Sequence, residues 1–527
     1  MPVRNVAARL GLTALLASAS SHAIAQTAQP NAQPDNSAAL QGEIAHAQKM
    51  KQLFPDTTGS SQNTPATIPT TEMDADPSGQ IATLQPNGPT QTSQNAFFQN
   101  LGTNERTCFT CHQGADGWGL SAQHAQQRFA ADPNDPLFRT FDGATCPSDD
   151  VSTPAAMQAA YQLLLQKGLI RIGLPVPSNG LQFQITNVND PYNCNTNPTT
   201  GLTDPTDGTV SIYRRPLPST NLAFDSVIMW DGREPDLFSQ AVDATLTHAQ
   251  GAAAPTPDQQ QQAVTFEGCT TAKTPQQCAN TPAGAGIFTA QFSDNSTGST
   301  VNLTGAGGNG GPVAIAQNVA NFFIGINDPF GKNPTGAPFS LAIFNVFDGF
   351  ANQTGNGPVN AQQQAIARGQ DVFNNTPINI TGVTGINDAL NQPTVAGGCG
   401  TCHDTPNVGD HSVAAPLDIG VADAGDKAPP ALDISGLPVF TIQCTSGPLA
   451  GQVFQVTDPG RALITGQCAD IGKVKGPILR GLAARAPYFH NGSAATLMDV
   501  VNFYDQRFGI GFTDQQKSDL VAFLSTL

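Results

Sequence analysis

Two short clusters of cysteine and histidine carry the clearest chemical signal in the chain. Each has two cysteines three positions apart and a histidine directly after the second. The clusters are Cys108, Cys111 and His112, and Cys399, Cys402 and His403. Two thiols on one turn can reach both vinyl groups of a porphyrin, and the adjoining imidazole can bind its iron. The spacing therefore predicts two covalently bound haem c groups; the alternatives are zinc half-sites, redox-active cysteine pairs or a chance match.

The N-terminus has the pattern of a secretory signal peptide. Arg4 and Arg9 precede an apolar run over residues 10–16, and Ala23 and Ala25 provide small residues for cleavage after Ala25. The apolar run is too short to span a bilayer, and no later segment approaches the roughly 20 apolar residues that a transmembrane helix needs. The sequence predicts an exported protein with no membrane span.

Six further cysteines lie outside the haem motifs and indicate disulfide bonds in an oxidising compartment. They are Cys146, Cys194, Cys269, Cys278, Cys444 and Cys468. Six thiols allow 15 pairings. We favour bonds between neighbours in sequence, 146 with 194, 269 with 278 and 444 with 468. The two cysteines of each pair lie in the same interval between recognised motifs of the chain.

The chain is strongly acidic, which limits its partners. Its formal charge is -17, and the two arginines lost with the signal peptide make the mature chain more acidic still. Such a surface disfavours binding to nucleic acid. It could steer a small basic redox protein that donates electrons, or it could be a solvated surface only.

Composition and helical signals divide the chain into segments. Residues 26–91 are rich in Gln, Thr, Pro, Asn and Ser, so we expect a disordered, low-complexity lead-in. Ordered structure should begin with a short helix, capped by Ser93, that leads into the first haem motif. Before the second motif, Ile366, Gly369 and Phe373 recur at helical spacing, and Gly369 would let another helix cross closely.

The last residues of the chain predict an amphipathic helix. Thr513 and Gln516 form a capping box at its start. One face then carries Leu520, Phe523, Leu524 and Leu527. Between the haem motifs, stretches rich in Gly and Pro such as 305–312 indicate loop-rich insertions.

Two further segments resemble the bacterial dihaem cytochrome c peroxidase superfamily, which includes the dihaem enzyme that matures tryptophan tryptophylquinone. One is Met-Trp-Asp-Gly-Arg-Glu at 229–234, followed by Gln240. The other is Leu-Arg at 479–480, Ala-Pro-Tyr-Phe-His-Asn-Gly at 486–492 and Ala-Thr-Leu at 495–497. Together with the haem motifs, these segments occur in the order that the superfamily has them.

The resemblance implies a mainly α fold of two class I cytochrome c-type domains with loop-rich insertions. We expect an N-terminal domain over residues 92–359 and a C-terminal domain over residues 360–527. Covalent haem attachment in this superfamily takes place outside the bacterial cytoplasm. Together with the signal peptide, the resemblance therefore implies a periplasmic protein.

The resemblance also implies a role for each iron. In the superfamily the N-terminal haem is open and reacts with hydrogen peroxide, and the C-terminal haem passes electrons to it. His112 would then bind the reactive iron and His403 the relay iron. Trp230 matches a tryptophan that relays electrons between the haems; the alternative is a large aromatic residue of the core.

The expected second ligand of the C-terminal haem departs from the usual pattern. Tyr504 occupies the position where ordinary family peroxidases have methionine, and an oxygen ligand favours ferric iron. Met498 lies on a different helix face and is not a substitute. The alternative for Tyr504 is a buried tyrosine that is hydrogen-bonded to its surroundings.

Cleavage of a peroxide O–O bond requires a group that moves a proton from one oxygen to the other. The family uses glutamate, but the matching position after Gln240 is Gln250, whose amide cannot titrate. His248 could replace it if this stretch is a loop, but not on a helix, where residues two apart point in different directions. His124 could ligate or gate the first iron, or it could be an exposed helix residue.

Four further positions bear on the haem and calcium sites. His490 should pack near the second haem, whereas His411 is expected to be structural. Family peroxidases bind calcium between the domains, but Arg215 and Arg485 occupy the matching positions. Cationic side chains disfavour a hard cation, so we expect calcium to be absent or bound elsewhere.

These features predict an oxidoreductase that activates hydrogen peroxide or dioxygen at the N-terminal haem. Electrons would pass through Trp230 from the C-terminal haem. A dihaem dioxygenase resembling the rubber oxygenases is an alternative, favoured by the missing glutamate and the long insertions. A dihaem electron carrier without catalytic activity is a third class.

Overall fold

The computed structural model describes residues 41–42, 45, 64–195, 209–268 and 286–527 of the chain. The predicted signal peptide lies outside these residues. Within them, no helix combines the length and the apolar character that crossing a membrane requires.

Helices are mostly short, and several begin at a side-chain cap or a proline. Those described are α1 (Ala122–Ala131), α2 (Pro154–Ala160), α3 (Gln162–Lys167), α4 (Leu237–Leu246), α5 (Pro257–Glu267), α6 (Pro312–Asn318), α7 (Pro358–Asn375), α8 (Ala462–Thr465), α9 (Leu497–Phe508) and α10 (Asp514–Leu524). The capping box predicted at Thr513 is confirmed, since the Thr513 hydroxyl accepts from Gln516 N at 3.2 Å.

Strands occur along most of the described chain and pair antiparallel. They are β1 (Thr67–Ile68), β2 (Thr71–Asp76), β3 (Gly79–Leu84), β4 (Thr90–Gln91), β5 (Ile170–Pro175), β6 (Phe183–Asn189), β7 (Thr209–Arg214), β8 (Phe288–Asp294), β9 (Val301–Asn302), β10 (Ile378–Thr381), β11 (Thr394–Gly397), β12 (Val439–Cys444) and β13 (Val453–Val456). The sheet orders are β1-β4, β2-β3-β8-β9, β5-β7, β6-β12-β13 and β10-β11.

The expectation of a mainly α fold is therefore wrong. Helical residues make up 31% of the structure and strand residues 17%, with several small sheets. Strands β6 and β12 alternate buried and exposed side chains over much of their length, a period of two that suits a half-buried strand. Their polar faces made them resemble loop insertions in the sequence.

The lead-in over residues 26–91 is also ordered in part, contrary to expectation. Strands β1 to β4 lie between residues 67 and 91, and β3 pairs with β8, far along the chain. The helix expected at Ser93 is replaced by two 3-10 turns, and Asn95, not Ser93, caps the second. Partners distant in sequence order a segment whose composition alone would leave it unfolded.

Helices α7 and α10 cross closely and form the core beside the second haem motif. A Cβ atom on Gly369 would lie 1.9 Å from the carbonyl oxygen of Asp519, so the close crossing predicted at Gly369 is confirmed. Phe373 of α7 packs against Phe344 and Phe523, with ring centroids 5.2 and 5.9 Å away. The domain boundary between residues 359 and 360 stays a prediction, but the sheet β6-β12-β13 joins strands from both sides of it.

Two of the favoured disulfide bonds are confirmed. Cys146 is bonded to Cys194 and Cys444 to Cys468, with Cα–Cα distances of 5.4 and 6.1 Å. The third favoured bond, between residues 269 and 278, falls outside the described residues.

Candidate active site

The two haem motifs share one local backbone structure. Each folds as a 3-10 turn, Cys108–Thr110 and Cys399–Thr401. In both, the threonine hydroxyl accepts from the backbone N–H three residues earlier, at 2.9 and 3.1 Å. The histidine N–H then donates to the carbonyl oxygen of the first cysteine, at 3.1 Å in each motif. This shared geometry places both cysteines and the histidine of each motif on one tight turn.

Both motif histidines are held in the tautomer that suits an iron ligand. His112 Nδ1 lies 2.9 Å from the Trp118 carbonyl oxygen, and His403 Nδ1 lies 2.6 Å from that of Gly409. Because a carbonyl oxygen only accepts, each Nδ1 carries the proton and Nε2 keeps its lone pair for a metal. Burial lowers the pKa of His112 to about 4, so the imidazole is neutral.

A large apolar cavity adjoins each motif. Cys108, Cys111 and His112 line the first cavity, with about 1300 Å³ of space, and the residues of the second motif line a cavity of about 1620 Å³, each partly open to solvent. Their walls are mainly aliphatic and aromatic, as a porphyrin requires. The residues present therefore fit a covalently bound haem in each cavity.

The chemistry of the thiols does not suit the alternatives of a redox pair or zinc. Burial raises the pKa of Cys399 and of Cys402 to about 12, whereas a redox-active cysteine has a lowered pKa. Among the described residues no group of three or more histidine, cysteine, aspartate or glutamate side chains is arranged to hold a metal ion.

The two cavities meet at Trp230. This residue lines both of them, together with the segment 215–218. Trp230 Nε1 donates to the Arg215 carbonyl oxygen at 2.8 Å, and its ring lies 6.0 Å from that of His490. Trp230 and the segment 215–218 thus lie between the spaces beside the two motifs.

A buried ionic network fixes the residue after Trp230. The carboxylate of Asp231 forms ion pairs with Arg214 and Arg233, and Arg214 also binds Asp458 at 2.7 Å. Burial alone would raise the pKa of Asp231, but the two guanidinium groups outweigh this effect and hold the pKa well below its usual range. The network limits the positions that the indole can adopt.

One face of α4 lines the first cavity. Gln240 and Ala244 lie on this face, and His248 follows at the same spacing just after the helix ends at Leu246. Gln250 is not part of the lining: it lies in a turn with φ +52°, and its carbonyl oxygen accepts from Thr103 Oγ1 at 3.0 Å. In the structure His248, and not Gln250, lines the first cavity, and the catalytic roles of both stay predictions.

His248 is oriented by a buried carboxylate. Its Nδ1 lies 2.7 Å from Asp142 Oδ2, and the Asp142 carboxylate also forms an ion pair with Arg106. Burial opposes ionisation of Asp142, but Arg106 and His248 outweigh it and lower its pKa. Because Asp142 is a carboxylate, Nδ1 of His248 donates to it, and Nε2 is left to exchange protons. Sequence reasoning missed Asp142, which lies more than 100 residues before His248.

Glu267 is a second titratable group that sequence reasoning missed. It ends α5 and lines the first cavity, with 5% of its surface exposed. Burial raises its pKa from 4.5 to about 7, partly offset by a hydrogen bond from Ser219. Nothing in its sequence neighbourhood marks it, because only the folding of α5 brings it to the cavity.

We expect Glu267→Gln to stabilise the protein above pH 7. The unfolded chain loses this proton near pH 4.5 and the folded protein only near pH 7, so the native protein loses stability between these values. The shift corresponds to a loss of about 3 kcal/mol in the free energy of unfolding above pH 7. The neutral amide of glutamine should remove this loss. Urea unfolding at pH 5 and pH 8 should show a gain mainly at pH 8. Asp258→Asn, an exposed change on the same helix, is the control; equal stability of Glu267→Gln and wild type at pH 8 would contradict the assignment.

Tyr504 lines the second cavity from α9. Its ring lies among Phe489, Phe503 and Phe508, with centroids 5.3 to 6.4 Å away, and burial raises its pKa far above the usual range. Met498, also on α9, does not line the cavity. The helix therefore directs Tyr504, rather than Met498, toward the space beside His403.

The other histidines divide between the cavity and the surrounding core. His490 lines the second cavity, and burial lowers its pKa to about 4. His411 is buried with Nδ1 3.4 Å from Asp404 and lines neither cavity. His124 lies on α1 with Nδ1 2.6 Å from Asp116 and does not line the first cavity, so its geometry does not support a role as iron ligand or gate.

Comparison with known proteins finds similarity that includes residues lining the second cavity. Residues 474–509 match the family model of the RoxA-like cytochrome c domain, a range that contains His490 and Tyr504. A cytochrome-c peroxidase of Denitromonas iodatirespirans is 35% identical over 141 residues, 25% of this chain and 36% of that protein. The cytochrome c551 peroxidase of Nitrosomonas europaea is 34% identical over 99 residues, 16% of this chain and 30% of that protein.

These matches make the chain similar to the dihaem cytochrome c peroxidases. The cytochrome c-like domain and the peroxidase relatives imply covalently bound haem c. The chain spans about a third of the length of three cytochrome-c peroxidases that it matches. A crystal structure of a MauG-like protein associated with microbial copper homeostasis covers 89% of this chain and 95% of its own, at 16% identity and a TM-score of 0.33, too low to bear on the fold.

Two arginines occupy the positions that match the calcium site of the family peroxidases. Arg215 and Arg485 are both buried and both line the second cavity. Arg485 lies close enough to Arg215 to help lower its pKa. Two neighbouring guanidinium groups make this position unfavourable for a divalent cation, and calcium binding elsewhere stays an open prediction.

Proposed function

We propose that the protein is a periplasmic dihaem peroxidase that reduces hydrogen peroxide in the first cavity. Trp230 would relay electrons between haems bound in the two cavities, and the haem of the second cavity would supply them. The observation that carries the proposal is the shared lining at Trp230: two cavities, each with its own cysteine and histidine anchor, meet at one buried indole. An indole at this position could relay electrons between two haems. A single haem cavity would not need such a relay.

The reaction takes up two electrons and two protons, breaks the O–O bond of hydrogen peroxide and yields two molecules of water. Bound haem in the first cavity supplies the redox chemistry. His248 moves a proton at Nε2 from the inner to the outer peroxide oxygen, so that the departing oxygen leaves as water. Asp142 holds the His248 ring through Nδ1 during this transfer. The apolar walls of the cavity exclude bulk water from the reacting oxygens.

Tyr504 and His403 would together hold the iron of a haem bound in the second cavity. The support is the position of Tyr504 on the lining and its aromatic neighbours, which offer the hydroxyl no competing carboxylate or amide. A phenol oxygen is a harder ligand than a thioether and favours ferric iron. This would let the second haem share oxidising equivalents with the first.

Replacing Tyr504 with methionine should raise the midpoint potential of the second haem. The thioether stabilises the ferrous iron that an oxygen ligand disfavours. Spectroelectrochemical titration of purified protein measures the potential of each haem separately. Phe503→Leu, on the same helix, controls for altered packing; a potential that does not respond to Tyr504→Met would show that Tyr504 is not a ligand.

A dioxygenase is the second candidate, favoured by the lack of a family glutamate at position 250. Purified protein is mixed anaerobically with hydrogen peroxide and a reduced small basic cytochrome, and separately with dioxygen and no donor. The proposal expects peroxide-dependent oxidation of the cytochrome, slowed by salt because the chain is acidic. Oxygen uptake without peroxide would contradict the peroxidase proposal and favour a dioxygenase. Inactivity in both mixtures would favour an electron carrier.

A further inference from the structure

Two buried guanidinium groups at the second cavity form no ion pair within the part of the chain that the structure describes. Arg215 and Arg485 are 8% and 7% exposed. Arg215 Nη2 donates to the Leu120 carbonyl oxygen at 2.7 Å, and its Nε has no partner. Arg485 donates only to carbonyl oxygens, those of Gly481, Ile478 and Arg480. Among the residues that the structure describes, neither arginine forms an ion pair.

The other arginines at the cavities are satisfied in the usual way. Arg214 is paired with Asp458 and Asp231, and Arg106 with Asp142. Burying an unpaired charge costs several kcal/mol, so proteins pair such charges with an anion. Burial lowers the pKa of Arg215 to about 9, with Arg485 adding to the effect, and lowers that of Arg485 to about 10. Both groups are therefore cations near neutral pH, and no described carboxylate forms an ion pair with either of them.

The positions of the two arginines indicate where that counter-charge comes from. Both side chains line the second cavity, and Arg215 also lines the first. The cavity walls are mainly apolar, so the missing anion must come from whatever fills the space. Haem carries two propionate carboxylates, and guanidinium is the side chain best suited to carboxylate recognition.

We propose that Arg215 and Arg485 bind the propionate carboxylates of the haem in the second cavity. The proposal rests on the assignment of a haem to that cavity. It gives Arg215 two functions, because its carbonyl oxygen also accepts the hydrogen bond from Trp230 Nε1. Arg215 would thereby both bind the haem and position the indole of Trp230.

A consequence is that the pair raises the midpoint potential of the second haem. Positive charge near an iron disfavours its ferric state, which carries the greater positive charge. Removal of either guanidinium should therefore make the potential more negative. A purely structural role for these side chains would not produce a shift of that sign.

The experiment compares Arg215→Gln and Arg485→Gln with Arg480→Gln in the holoprotein. Arg480 is a matched control: it is buried, its Nε and Nη1 have no partner, and it lines neither cavity. We expect a more negative potential of the second haem in both cavity variants, larger than in Arg480→Gln, with unchanged covalent haem content. A shift of equal size in Arg480→Gln, or none in the cavity variants, would overturn the proposal.

Lysine variants keep the test decisive if the glutamine variants do not fold. Arg485→Lys retains the charge but loses the forked donors, so resonance Raman should show a shifted propionate-bending band with little change in potential. An unshifted band would overturn the proposal. Wild-type protein that has no haem at the second motif would instead refute the proposed function, a separate outcome read directly from its mass.

Discussion

His248→Gln should reduce peroxide-dependent turnover by roughly 100- to 10,000-fold, the usual contribution of a positioned acid–base group. Glutamine fills a similar space and can accept a hydrogen bond, but it cannot carry a proton between the two peroxide oxygens. The loss should appear in the rate of the reaction with peroxide, measured by stopped-flow absorbance of the haems. Electron exchange between the haems should be unaffected, because Trp230 is not changed.

Gln250→Asn is the matched control for this loss. It alters a neighbouring amide that does not line the cavity, and asparagine tolerates the left-handed backbone at this position. We expect its rate with peroxide to remain close to that of the wild type. Similar losses in both variants, or a normal rate in His248→Gln, would remove His248 from the proposed mechanism.

Cys399→Ser combined with Cys402→Ser should yield a protein with one covalent haem instead of two. Serine cannot form the thioether bonds, and the apolar cavity of about 1620 Å³ would lose the group that fills it. Intact-protein mass spectrometry of exported material reports the number of haems. A lowered thermal midpoint should accompany the loss, because the walls of the empty cavity lose their packing partner.

The mirror variant, Cys108→Ser with Cys111→Ser, controls for position. It should also retain one haem, now the one at His403, and it should no longer react with peroxide. The two variants together separate the roles of the cavities. Two haems in either double variant, or a single haem in the wild type, would contradict the assignment of one porphyrin to each motif.

The sequence predicted the parts of the site that are local in the chain. A haem motif is complete within five residues, and a helix cap within four, so the turns at Cys108 and Cys399 and the cap at Thr513 needed no knowledge of the fold. The close crossing at Gly369 also followed from a local pattern. Two disulfide bonds were predicted because their cysteines are neighbours in sequence.

The parts that failed depend on contacts between distant segments. Asp142 meets His248 only after the loop before α2 packs against the end of α4. Glu267 reaches the first cavity through the packing of α5. The choice between His248 and Gln250 turned on where α4 ends, and helix ends are set by tertiary contacts as much as by sequence. The strands were missed because β3 and β6 pair with β8 and β12, which lie far along the chain.

The most direct test is the electron paramagnetic resonance spectrum of the ferric protein, recorded before and after addition of hydrogen peroxide. We expect one iron with an open axial position, beside His248, and one with both axial positions filled, by His403 and Tyr504. Peroxide should change the signal of the open iron first. Two irons with both axial positions filled, unaltered by peroxide, would contradict the account.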